Sequence, residues 1–383
     1  MDKTTVWRTH TAIYGLVQAP KVWFQTIHSY LLEAQFTPLL SEACIYVKLS
    51  ASKEIKMILL LYVDDILYCG WSTEVKAFEE AITKRFKIQS NTNANEFIGV
   101  QLTQDQAQHR VLVHQKKHIA DATEKFELTQ HRRVYTPLET TALQNGPSEL
   151  LPEPRLYQAL VGSLNYLSTC SRPDLAFAAS HLARSNSKPT YADLQRAKRT
   201  LAYVYQTIDY YMPFIPSDLK NITMTTYVDS SLANGLNARS ICGYVIYVNK
   251  NLVHYKSRMQ SITALSSTES EFIALALAVQ DNQWIANVLK EMLLQITKRV
   301  IYSDNHGAIK IAQSTQSTAR TRHLNMKLQY SKETIKNEHF LVRYVQTSDN
   351  IADIFTKPLG RIDFTRFAQA LLTAPRAKGS DER

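Results

Sequence analysis

From Ile222 onward the chain runs in one order: three strand-like segments, a long amphipathic helix, a strand, a helix, a strand and a last helix. The strand runs are Ile222 to Val228, Ile241 to Val248 and Leu252 to Ser257, followed later by Arg299 to Ser303 and Phe340 to Val345. Between the third and fourth lies a helix whose apolar face is Phe272, Leu275, Ala276, Val279, Ile285, Val288, Leu289 and Met292. Ser266 and Glu269 have the spacing of a capping box at its start. Such an order predicts a sheet flanked by helices, and the last helix is expected to begin near Asn350.

Four acids fall at telling places in that order. Asp229 is expected to end the first strand, Glu271 to sit in the first turns of the long helix, Asp304 to end the fourth strand and Asp353 to open the last helix. They are 42, 33 and 49 residues apart, yet strand ends and helix starts meet at one edge of such a sheet. Clustered carboxylates repel and resist ionisation unless a cation neutralises them. Mg²⁺, with Mn²⁺ as a possible substitute, suits oxygen ligands and in pairs clamps the attacking water and leaving oxygen of a phosphodiester. The expected chemistry is hydrolysis of a nucleic-acid strand.

A second acidic signal lies near the N-terminus. Met57 to Leu61 is apolar, Tyr62-Val63-Asp64-Asp65 follows, and Ile66-Leu67-Tyr68 resumes the apolar pattern. This reads as a β-hairpin with two acids at its tip. Upstream, Pro20 opens a helix through Val22, Trp23, Thr26, Ile27, Tyr30 and Leu31; downstream, Ser72 or Thr73 is placed to cap a helix through Phe78, Ile82 and Phe86. Phe97 to Leu102 and Arg110 to Val113 read as a second hairpin. Pro, Gly, Asn and Ser from Thr136 to Pro154 suggest a linker, and helices are expected over Tyr157 to Thr169, from Arg172-Pro173-Asp174, and over Asp193 to Thr207. Pro213 and Pro216 are expected to break the chain before the C-terminal sheet.

Composition narrows the classes. The 383 residues carry a net charge of +10, which favours polyanionic partners. The longest apolar runs are well short of the ~20 residues of a membrane helix, and no signal peptide is visible, so an intracellular protein of the cytoplasm or nucleus is expected, with no membrane partner. The four cysteines, Cys44, Cys69, Cys170 and Cys242, are widely spaced and form no zinc pattern.

Several motifs together resemble the reverse transcriptase and ribonuclease H region of copia-type LTR retrotransposon Pol polyproteins. They are Tyr14 to Pro20 with Trp23, Tyr62 to Asp65, Phe97 to Val100, Val161 to Leu167 with Arg172 to Asp174, Tyr227 to Asp229, Ala264 to Leu275, Tyr302 to Asn305, Arg320 to His323 and Asn350 to Leu359. The resemblance covers about residues 6 to 360. It implies an α/β (α+β) chain with a partial reverse-transcriptase palm and thumb at 1–135, a linker and helical connection at 136–217, a ribonuclease H-like mixed sheet with flanking helices at 218–360, and a C-terminal tail at 361–383.

By that resemblance Asp229, Glu271, Asp304 and Asp353 are catalytic metal ligands that cleave RNA in an RNA–DNA hybrid, and Asp64 and Asp65 are polymerase metal ligands. Gly15, Gln18 and Tyr62 would line the site of incoming nucleotide and template, and Phe97 to Val100 would approach the primer. Glu269 rivals Glu271, but the family places its catalytic Glu before an aromatic and Ile-Ala-Leu, which leaves Glu269 for capping. Arg320, Arg322 and His323 would contact substrate phosphate, the other reading of His323 being a packed loop residue; Lys256, Arg258 and Lys310 are further candidates for phosphate contacts. Ser231 and Leu232 stand where family members carry an Asp and a Trp.

The acids before the hairpin are Asp2, Glu33, Glu42 and Glu54, none placed as the family's third polymerase Asp. The expectation is an N-terminally truncated fragment that retains Mg²⁺-dependent ribonuclease H cleavage, binds template-primer nucleic acid, and uses dNTPs only if the polymerase is intact. The alternative is a catalytically inactive, repurposed nucleic-acid-binding protein.

Overall fold

The computed structural model describes residues 15–90, 94–128, 132–143, 148–232, 239–314 and 326–374. The N-terminal part starts with α1 (Ala19–Glu33), which has Pro20 in its first turn, followed by strands β1 (Thr37–Pro38), β2 (Ile45–Leu49), β3 (Ile55–Tyr62) and β4 (Asp65–Gly70), helix α2 (Ser72–Arg85) and the short strand β5 (Glu96–Phe97). β1 to β4 form one antiparallel sheet in sequence order. Alternation along β3 buries Met57, Leu59 and Leu61 on one face, against Ile27 and Leu31 of α1 and Phe78 and Ile82 of α2. Fully burying each of these side chains is worth roughly 1.5–3 kcal/mol. The α2 cap differs from the expectation: Trp71 is the N-cap and no side chain caps the helix, because the chain enters directly from the extended β4.

The second part opens with β6 (Val100–Asp105), β7 (Arg110–His114) and α3 (Lys116–Lys125). Helices α4 (Arg155–Cys170), α5 (Ala176–Ala183) and α6 (Tyr191–Gln206) follow, α5 preceded by a 3-10 turn at Pro173–Leu175. Thr190 and Asp193 close a reciprocal capping box on α6, with Thr190 Oγ1 accepting from Asp193 N at 3.2 Å. The Arg172-Pro173-Asp174 segment holds a fully buried ion pair: Nε and Nη2 of Arg172 donate to the two oxygens of Asp174 at 2.9 and 2.7 Å, and Tyr203 Oη donates to the same carboxylate at 2.7 Å.

Where a break was expected, Met212–Phe214 forms β8, pairing antiparallel with β7, and Pro213 is opposite Leu112. Proline is tolerated there because β8 is an edge strand. The expected linker is also packed: Leu138 and Ala142 are buried beside Phe177, Ala178 and Ile241, and Thr200 Oγ1 donates to Pro137 O at 3.1 Å.

β9 (Ile222–Ser231), β10 (Ile241–Val248), β11 (Asn251–Met259), β12 (Ile296–Ser303) and β13 (Leu341–Tyr344) form the mixed sheet, in the order β11-β10-β9-β12-β13. β9, β10 and β11 are antiparallel; β12 runs parallel to both β9 and β13. α7 (Ser267–Glu291) lies between β11 and β12 in sequence, and two helices, α8 (His306–Gln313) and α9 (Met326–Asn337), precede β13 where one was expected. The expected C-terminal tail contains a packed helix: α10 (Arg361–Leu371) buries Phe364, Phe367, Ala368 and Leu371 in a core shared with Leu160, Leu164 and Leu167 of α4 and Leu201 and Val204 of α6.

The structure groups into two units, the described residues up to Ile98 with Asn287–Leu293, and the described residues of 99–286 and 294–383. Residues 99–135, expected to belong to the N-terminal part, fall in the second unit, since β7 pairs with β8 and Ile119, Ala122 and Phe126 join the α4–α6 core.

Candidate active site

The central strand of the mixed sheet sets the geometry. β9 alternates inward and outward, and Asp229 lies within it rather than at its end, facing Gly243 of β10. Asp304 directly follows Ser303, the last residue of β12, which runs parallel beside β9. Glu271 occupies the second turn of α7. Ser266 Oγ accepts from Glu269 N at 3.2 Å while Glu269 Oε2 accepts from Leu265 N at 2.8 Å, so Glu269 caps the helix and leaves Glu271 to the interior. The helix start is tied to the sheet by a Ser230–Ser270 hydroxyl hydrogen bond and by Gln260 Nε2, which donates to Ser270 O at 2.9 Å.

Asp229, Glu271 and Asp304 converge, each offering an oxygen within 4.8 Å of the others. Asp353 reaches the same cluster from a 3-10 turn, Ile351–Phe355, not from the final α-helix, which starts at Arg361. Asn350 positions that turn: its Nδ2 donates to Val228 O at 3.0 Å and approaches Asp304 Oδ1 at 3.5 Å, and its Oδ1 accepts from Ala352 N at 3.2 Å. Thr356 Oγ1 donates to Asp229 Oδ2, and Lys357 Nζ lies 3.0 Å from Asp353 Oδ2 and 3.9 Å from Asp229 Oδ2. Thr356, Lys357 and Asn350 received no role from the sequence, although Lys357, four residues after Asp353, has the spacing of a local ion pair.

The electrostatics are those of crowded, desolvated acids. Asp229, Glu271 and Asp353 are 3%, 6% and 7% exposed, so bulk water does little to screen them. Burial, followed by repulsion from Asp229 and Asp304, pushes Glu271 up to about 10. Burial, then the Asp229 charge, pushes Asp353 up to about 7, against the pull of Lys357. Burial alone would lower the Lys357 ammonium, but the carboxylates of Asp229 and Asp353 hold it above its ordinary value. Glu271 Oε2 and Asp353 Oδ1 are buried and accept no hydrogen bond. Unpartnered buried carboxylate oxygens around a cluster of three acids fit a hard divalent cation, which takes oxygen ligands. Among the described residues this is the one group of three such ligands.

In the first unit, Tyr62 and Asp65 pair across the β3–β4 hairpin, and Val63 and Asp64 form its turn. Val63 has φ 51°, a costly region for a β-branched residue. Trp23 Nε1 of α1 donates to Val63 O at 2.7 Å and fixes this turn. Gly15 has φ 96°, which glycine alone adopts readily, and Gln18 is the N-cap of α1. Among the described residues no third metal-ligating side chain joins Asp64 and Asp65. Arg320, Arg322 and His323 lie outside the described residues.

Among the described residues no helix is long and apolar enough to cross a membrane. The reverse transcriptase (RNA-dependent DNA polymerase) family matches residues 1–140. Curated relatives include the retrovirus-related Pol polyprotein from transposon RE2 of Arabidopsis thaliana, 30% identical over 96% of this chain and 25% of its own length, and that from transposon TNT 1-94 of Nicotiana tabacum, 28% identical over 94% of this chain and 28% of its own. The chain thus spans about a quarter of the length of these relatives. Similar solved structures include a foamy viral protease-reverse transcriptase in complex with RNA/DNA hybrid, 12% identical, covering 88% of this chain and 39% of that chain at a TM-score of 0.47. Another is LC11-RNase H1, 18% identical, covering 36% of this chain and 93% of that chain at 0.28. The chain is thus similar over nearly its whole length to copia-type retrotransposon Pol polyproteins, its residues 1–140 match the reverse transcriptase family, and its fold is mixed α/β.

Proposed function

We propose that the second unit is a Mg²⁺-dependent ribonuclease H that cleaves the RNA strand of an RNA–DNA hybrid. The observation that carries this reading is the convergence of Asp229, Glu271 and Asp304, with Asp353 joined to them through Lys357 and unpartnered oxygens left on Glu271 and Asp353. These four carboxylates would hold the divalent cation, which when bound supplies Lewis-acid stabilisation of a phosphodiester and an activated water. Asn350 and Thr356 hold the cluster in place, and Lys357 offsets its charge. The net charge of +10 suits a polyanionic substrate, and 2′-hydroxyl and shape contacts would select the RNA strand. By the resemblance Asp64 and Asp65, at the tip of the strained hairpin, would be the polymerase carboxylate pair, with template-primer as ligand and dNTPs only if the polymerase is intact.

The test is incubation of purified protein with a labelled hybrid in Mg²⁺ or Mn²⁺. Cleavage confined to the RNA strand is expected, with Asp304→Asn reducing it at least about 100-fold, the scale of several kcal/mol of transition-state stabilisation. Cleavage that survives this substitution removes the cluster from the chemistry. Hybrid binding with no metal-dependent turnover selects a binding protein instead.

A further inference from the structure

The second unit contains a basic cavity that the carboxylate cluster does not use. It has a volume of about 430 Å³ and is lined by the 133–141 segment, Arg199 of α6 and the entry to α10 at Leu359, Gly360 and Arg361. Three of its side chains are arginines, Arg133, Arg199 and Arg361, against one acid, Glu139. Glu139 Oε1 lies 3.2 Å from Arg199 Nη1. Among the described residues neither Arg133 nor Arg361 has a carboxylate within ion-pair distance. Both guanidiniums instead sit on one ring: Arg361 lies 3.4 Å and Arg133 5.2 Å from the centroid of Tyr135. Two like charges gathered at one aromatic ring repel each other, and an anion between them relieves that repulsion.

The cavity also has donors to spare. Arg199 Nε is buried without a hydrogen-bond acceptor. The first turn of α10 has no side-chain cap at Gly360, so its backbone N–H groups and the positive end of the helix dipole add to the guanidiniums. Space beside Gly360 is open, with no atom within 4 Å of where a Cβ would stand. Planar guanidiniums match the tetrahedral oxygens of a phosphate in pairs, which ammonium groups do not.

Position decides which phosphate. Lys357, beside Asp229 and Asp353, is four residues from Arg361, so their Cα atoms are roughly 14 Å apart at most. Successive phosphates of a strand rise about 3.4 Å along the helix axis. We propose that this cavity seats a backbone phosphate of the nucleic-acid strand passing the carboxylate cluster, a few nucleotides from it, and so anchors substrate against Arg133, Arg199 and Arg361. The proposal rests on the ribonuclease H reading for the identity of the strand, but its test reads binding alone.

The experiment measures affinity of the full chain for a fluorescent RNA–DNA hybrid, in EDTA, over a series of salt concentrations. The variants are Arg361→Ala, Arg199→Ala and, as a control that removes the same charge five residues along α10 outside the cavity, Arg366→Ala; thermal melting reports folding. Arg361 is exposed at the helix start, so its loss leaves no buried void. The expected result is a several-fold weaker affinity for Arg361→Ala and Arg199→Ala and a salt slope shallower by about 0.9 for each phosphate no longer neutralised, with Arg366→Ala like the wild type. Equal affinity and equal slope in all four proteins overturns the proposal, as does failure of the wild type to bind hybrid; an acidic protein segment as the true occupant gives the first of these results. If the cavity variants match the wild type while Asp304→Asn abolishes cleavage, the phosphate seat is refuted and the ribonuclease reading stands.

Discussion

Lys357 Nζ lies 3.0 Å from Asp353 Oδ2 and 3.9 Å from Asp229 Oδ2, so one ammonium spans two buried carboxylates that approach the site from opposite ends of the C-terminal sheet's sequence. In the absence of a divalent cation this ammonium is the principal offset to their repulsion. Lys357→Met is therefore expected to lower the Tm of the metal-free protein and to gain more from added Mg²⁺ than the wild type gains. Differential scanning fluorimetry in EDTA and in Mg²⁺ checks this; identical Mg²⁺ gains in the two proteins remove Lys357 from the charge balance.

The raised carboxylates give the metal-free protein a definite pH dependence. Glu271 is raised from 4.5 to about 10 and Asp353 from 3.8 to about 7, burial being the first cause in each. Between those limits the folded protein holds protons that the unfolded chain has released. Each group's favourable contribution is thus complete below its unfolded value and is lost as pH rises through the folded one, at no more than about 1.4 kcal/mol per pH unit per group. Denaturant melts in EDTA should show stability falling from pH 5 to 9, with Glu271→Gln flattening the part above pH 7. Parallel curves for the two proteins would contradict the burial of an ionisable Glu271.

Gly243 faces Asp229 across β9 and β10, and a Cβ there would come 2.6 Å from Thr356 Cγ2, 2.7 Å from Phe355 Cβ and 3.0 Å from Ala352 O. Gly243→Ala should push the 351–356 turn off the sheet, costing about 1–3 kcal/mol and separating Asp353 and Thr356 from Asp229. The expected signature is a protein that still folds but loses hybrid cleavage. Wild-type cleavage by a folded variant would show that the turn need not lie against β10.

The Arg172–Asp174 pair is sealed among α4, α5 and α6 with Tyr203 on the same carboxylate. Arg172→Ala leaves a buried charge without its partner and should cost about 3–5 kcal/mol. Urea denaturation measures this directly, and Arg172→Ala with Asp174→Ala together should lose less than the two single changes added, because the orphaned charge is gone. Full additivity would mean that the two side chains do not act as a pair.

Sequence periodicity by itself located α1, α2, α4, α5, α6 and α7 within a few residues, the β3–β4 hairpin and the five strands of the mixed sheet, because period-2 and period-3.6 burial is a local signal; α3, which buries only Ile119 and Ala122, was not among the expected helices. The types and sequence contexts of the four acids also pointed to metal chemistry before any distance was known. The tertiary structure alone showed that Asp229 lies inside a strand, that Asp353 comes from a 3-10 turn, and that residues 99–135 belong with the second unit through β7 and β8. It alone brought Thr356, Lys357, Asn350 and Gly243 to the cluster, and Arg133, Arg199 and Arg361 to one cavity. Residues up to 228 positions apart meet there. No local pattern encodes such a meeting, since strand pairing and the packing of buried faces, which set it, act between segments whose separation along the chain carries no periodicity.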